Sequence, residues 1–89
     1  MFLAVKLERY LYKYVPNRVL YLLDQARECE RLRARTDAYA YRQQAYELAY
    51  LMYALGDKQF SDEILLALED SASGAEARKY LENMVREEE

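Results

Sequence analysis

Apolar side chains recur along this chain at helical intervals from its start. Leu3, Leu7, Leu11 and Tyr14 fall near one face, while Lys6, Arg9 and Lys13 share another, so the spacing predicts a first helix over residues 2–14. Pro16, in "VPNR", disfavours helical geometry at Val15 and suits the start of a new helix, which places a break there. A second helix is predicted over 17–35. Val19, Leu22, Leu23, Ala26 and Cys29 form its apolar stripe, and Asp24, Arg27, Glu28, Arg31 and Arg35 form a charged face with i,i+3 pairs.

No Gly or Pro interrupts Asn17 to Leu55, so one helix of about 39 residues and two separate helices both stay open. The break is preferred, because residues 33–37 offer only Ala34 as an apolar side chain, and Thr36 or Asp37 can cap a new helix. In that third helix, over 37–55, Ala38, Tyr41, Ala45, Leu48, Ala49, Met52 and Leu55 gather on one side. Tyr39, Tyr46, Tyr50 and Tyr53 fall within about 60° of one another on an adjacent side. Gly56 marks a stop, and Ser61 or Asp62 can cap a fourth helix over 61–70 with Ile64, Leu65 and Leu68 inward. After "DSASG" a last helix over 75–86 turns Ala77, Leu81, Met84 and Val85 inward, and residues 86–89 read as a frayed acidic tail. The expected fold is therefore all-α: a single domain over 1–89, a small bundle of about five helices, or fewer if the second and third are fused.

Composition supports this reading. With 2 Gly, 1 Pro and 53% hydrophobic residues, the chain favours long helices over a turn-rich β fold. The lone Cys29 has no internal disulfide partner, and "MFLAVKLERY" lacks the plan of a secretory leader; both point to a cytoplasmic setting. The longest uncharged run near the centre, Leu48 to Gly56, is about half of the roughly 20 residues a membrane crossing needs. The net charge of −3 conceals a division: nine Lys/Arg against five Asp/Glu in residues 1–42, and four against eleven in 43–89. Such asymmetry favours self-association or an acidic partner.

Residues 45–77, "AYELAYLMYALGDKQFSDEILLALEDSASGAEA", carry a further pattern. Leu48 and small Ala49 precede "LGD" at 55–57, "AL" follows at 67–68, and "AEA" at 75–77. This stretch resembles a single tetratricopeptide repeat followed by the opening of another helix. The resemblance implies helical hairpins and a peptide-binding groove, with Tyr46, Tyr50 and Tyr53 at groove-facing positions. The turn is one residue short, no proline follows the second helix, and Glu82 stands where a small residue is usual, so a generic helical hairpin bundle stays open beside it.

The catalytic search is negative. Without histidine and with one cysteine, the chain holds no Ser-His-Asp triad, no Cys-His pair and no His-based zinc site, nor is there a Gly-rich phosphate loop. The expected activity is non-enzymatic, with no cofactor and no metal. Tyr39, Tyr46, Tyr50 and Tyr53, with Arg42 beside them, read either as gap fillers between helices or as a contact surface for a protein, a peptide or a second copy. The alternative is a nucleic-acid-associated factor using Lys6, Arg9, Lys13, Arg27, Arg31 and Arg35, against which the net acidic charge weighs.

Overall fold

The structure, a computed structural model, describes residues 2–88, with side chains from Leu7 to Glu87. Four helices occupy them: α1 (Phe2–Arg31), α2 (Arg35–Ala54), α3 (Lys58–Ala67) and α4 (Ala72–Glu88). Each packs on the next and α4 returns onto α1. Connections of three or four residues oblige consecutive helices to run antiparallel.

The expected break at Pro16 does not occur, so four helices stand where five were predicted. Pro16 lies inside α1 and is fully buried, and Val15 and Val19 on either side of it in the chain belong to the core. Ending the helix there would strip these residues from the core. The proline removes the backbone donor to the Tyr12 carbonyl, and the Asn17 side-chain amide donates to the neighbouring Lys13 carbonyl at 2.8 Å.

α1 and α2 are separate. Arg33 takes a left-handed conformation with φ 62°; its amide donates to the Glu30 carbonyl and the Ala34 amide to that of Cys29. This is a Schellman stop built without glycine. The α2–α3 turn repeats it with Gly56 at φ 96°, whose amide reaches Tyr53 while that of Asp57 reaches Met52. Two expected caps are corrected. Ala34, not Thr36 or Asp37, precedes α2 and supplies no side-chain cap, whereas α3 starts earlier than expected because Asp57, not Ser61 or Asp62, accepts the Phe60 amide at 3.0 Å. Ser61 is instead buried inside α3. The last helix also begins earlier, where the Ser71 hydroxyl accepts the Gly74 amide at 3.1 Å.

The core draws on all four helices: Val15 and Val19 from α1, Ala49 and Met52 from α2, Phe60 and Ile64 from α3, Leu81 from α4. Ala38, Ala45 and Ala49 are buried on α2, so small side chains let its neighbours approach closely. The expected inward face of the first helix is corrected in part. Leu11 is half-buried, but Leu7 is exposed because α1 is about 45 Å long and outruns α2 at about 30 Å, and Tyr14 is exposed because it lies about 100° around the helix from buried Val15. The side chain of Leu3 lies outside the described residues.

Candidate functional site

The α2 tyrosines divide by flank. Tyr39, Tyr50 and Tyr53 are 65%, 62% and 61% exposed, and Tyr46 is half-buried with its ring stacked on that of Tyr50 at 6.4 Å. Tyr41 is half-buried with the alanine face. At 100° per residue, the row of Tyr39, Tyr46, Tyr50 and Tyr53 lies roughly opposite Gln44, Leu51 and Leu55. Three of these four rings therefore fill no gap between helices. They form an amphipathic surface along about 21 Å of helix.

Arg42 is half-buried and donates to Glu30 of α1, so its guanidinium is committed to an ion pair across the helix junction. It borders a cleft of about 480 Å³ where the ends of all four helices meet. Arg78 bridges Asp24 of α1 and Glu82 of its own helix, and Arg27 and Lys79 share the cleft with Glu69 and Asp70. Charges there compensate one another, which leaves no dominant sign for a charged ligand.

The basic residues of the first half do not form one patch. Arg9 and Lys13 are exposed near one end of α1, while Arg27, Arg31 and Arg35 are exposed at the other, more than about 20 Å away along the helix. Arg31 is paired with Glu28 at 2.5 Å, which holds the Glu28 carboxyl below its ordinary range. The side chain of Lys6 lies outside the described residues.

A second aromatic surface was not singled out by the sequence. Tyr10 and Tyr14 stack at 5.5 Å with 7° between their planes, and Arg18 lies 5.0 Å over the Tyr21 ring while donating to Gln44 at 3.3 Å. The i,i+4 spacing of Tyr10, Tyr14 and Arg18 was the available signal, hidden by the expected break at Pro16. Nearby, a cleft of about 230 Å³ is lined by Leu7, Leu11, Met52 and Leu55. Tyr12 closes its floor by donating to Asp57, a bond that, with burial, pushes the phenol up to about 12. Burial and the nearby acids Glu63, Asp57 and Glu87 also raise Tyr80.

Among the described residues, no three His, Cys, Asp or Glu side chains converge as metal ligands, and no helix is long and apolar enough to cross a membrane. Comparison with protein families, with curated proteins and with solved structures returns no match.

Proposed function

We propose that this chain is a non-enzymatic helical module that binds a protein or peptide partner through the exposed tyrosine row of α2. The observation that carries the reading is the exposure of Tyr39, Tyr50 and Tyr53, with Tyr46 stacked beneath Tyr50. Four such rings in one row supply rigid contact area with a polar rim, the composition enriched at binding hot spots. The succession of α2, a tight turn, α3 and α4 supports a tetratricopeptide-like use of this face, with α2 as the groove-facing helix. A reducing compartment such as the cytoplasm belongs to the same proposal, since Cys29 is free. The scattered, partly paired arginines favour a protein over a nucleic acid.

The test is quantitative capture from extract of the source cells, comparing wild type with Tyr46→Ala/Tyr50→Ala/Tyr53→Ala, each checked for helicity by circular dichroism. A specific partner lost by at least about 10-fold from the folded variant supports the proposal. Equal recovery by both proteins sinks it.

A further inference from the structure

We infer that the exposed face of α1 is a homodimer interface in which two copies pair antiparallel about a two-fold axis through Tyr14. The face is a row of five residues: Leu7, Tyr10, Tyr14, Arg18 and Tyr21. All but Arg18, which is half-buried, are exposed, Leu7 and Tyr10 at 57% and 59%. At 100° per residue they lie within about 80° of one another, one continuous strip along about 21 Å. The expected Pro16 break would have divided it; the continuous helix joins it.

The spacing singles out the occupant. Counted from Tyr14, the residues stand at −7, −4, 0, +4 and +7, a palindrome in position. Antiparallel pairing about Tyr14 sets Leu7 against the partner's Tyr21, Tyr10 against the partner's Arg18, and Tyr14 against the partner's Tyr14. Each pair is chemically matched: aliphatic on aromatic, cation over ring, ring on ring. Arg18 already rests on its own Tyr21 at 5.0 Å, so the second copy completes a ring–guanidinium–ring stack. An isologous interface requires this self-complementarity, which a foreign partner would have no reason to share.

Charge agrees. Arg18 is the sole charge in the strip, and the two copies' guanidinium groups would stand about 12 Å apart along the helices, beyond a Debye length at physiological salt. Asn17, Gln25 and Gln44 border the strip without charge, and the exposed Asp24 and Lys13 stand about 40° and 60° outside its edge. The half-exposed rings and Leu7, extended by Leu51 and Leu55 of α2, offer on the order of 500 Å² of apolar surface per copy. Doubled, that reaches the lower limit of specific interfaces, the size class of weak, concentration-dependent association.

This inference is independent of the α2 tyrosine row, which lies on a different surface. Sedimentation equilibrium from about 1 μM to about 1 mM should follow the mass from 10.6 kDa to twice that value. Tyr14→Arg, which sets two cations on the axis, should weaken the dimer by at least about 30-fold, while Tyr50→Arg leaves it unchanged. A position that meets itself has a second signature: in a Cys29→Ser background, Tyr14→Cys should oxidise to a disulfide dimer far faster than Tyr50→Cys. A chain monomeric at about 1 mM overturns the inference, as does a dimer that Tyr50→Arg breaks and Tyr14→Arg spares. Should Tyr14→Arg lose its helicity, the cysteine pair decides alone, and equal cross-linking at both positions overturns the proposal.

Discussion

Asp57 serves two helices at once: its Oδ2 accepts the Tyr12 hydroxyl of α1, and its Oδ1 accepts the Phe60 amide that begins α3. One carboxylate therefore fixes both the α2–α3 turn and the height of α1 against it. Tyr12→Phe removes the first bond and should cost about 1 kcal/mol. Asp57→Ala removes the cap as well and should cost about 2 kcal/mol. The double variant should resemble Asp57→Ala alone, since the hydroxyl has then already lost its partner. Urea unfolding of the four proteins measures this, and simple additivity would show that the bond contributes nothing.

The same bond sets a pH limit. Tyr12 is pushed from the usual phenol value near 10 up to about 12, first by hydrogen bonding to Asp57 and then by burial. The folded state holds this proton more tightly than the unfolded one, so its contribution is complete below about pH 10 and is lost as pH rises toward 12. The raised Tyr80 acts in the same direction. Thermal midpoints should fall between pH 10 and 12, and less steeply in Tyr12→Phe. Equal slopes in both proteins would refute the assignment.

The two Schellman turns differ in one residue that matters. Gly56 takes its positive φ without steric penalty, whereas Arg33 carries a Cβ into the left-handed region. Arg33→Gly should therefore stabilise by about 1 kcal/mol, although it adds a glycine, and Gly56→Ala should destabilise by a similar amount. Chemical denaturation with both signs reversed would mean that the turns are not held by these stops.

At Gly74 the helix-propensity rule should fail. An added Cβ would sit 2.1 Å from the Glu69 carbonyl oxygen and 2.8 Å from that of Leu66, both backbone atoms that cannot swing aside. Propensity alone predicts that Gly74→Ala stabilises α4 by up to about 1 kcal/mol. The close approach of α4 to the end of α3 predicts instead a loss of about 1–3 kcal/mol. Stabilisation in a melting experiment would rule out that contact.

The periodic positions were legible where packing and local preference agree. Val19, Leu22 and Ala26 on α1, Ala38, Ala45, Ala49 and Met52 on α2, and Ile64, Ala77 and Leu81 all lie buried as their spacing demanded. The exceptions have tertiary causes. Leu7 has no covering helix because α1 outruns its neighbour, and Asp57 captures the start of α3 because a turn residue can accept an amide three positions on. The tyrosine row of α2 was visible as a helical face, but whether a ring meets solvent or another helix depends on which flank of α2 its neighbours occupy, and they bury Ala45, Ala49 and Met52 instead.

Pro16 is the sharpest conflict between local rule and packing, and its substitution separates the terms. Pro16→Ala regains up to about 3 kcal/mol of helix propensity, forfeits about 1.6 kcal/mol with two buried ring carbons, and frees the unfolded chain by up to about 1 kcal/mol. The terms nearly cancel, so stability should stay within about 1 kcal/mol of wild type, unlike the 2–5 kcal/mol expected for Leu81→Ala in the same core. Asn17→Ala sharpens the test. In the wild-type chain it removes the amide that satisfies the Lys13 carbonyl and should cost about 0.5–1 kcal/mol. Pro16→Ala returns a backbone donor to the Tyr12 carbonyl, and where the straightened helix also restores the regular Asn17 amide bond to Lys13 the cost should shrink. A Pro16→Ala loss above about 2 kcal/mol would show the ring to be a core anchor in its own right, whereas an unchanged Asn17→Ala penalty would show that the amide does not compensate for the proline.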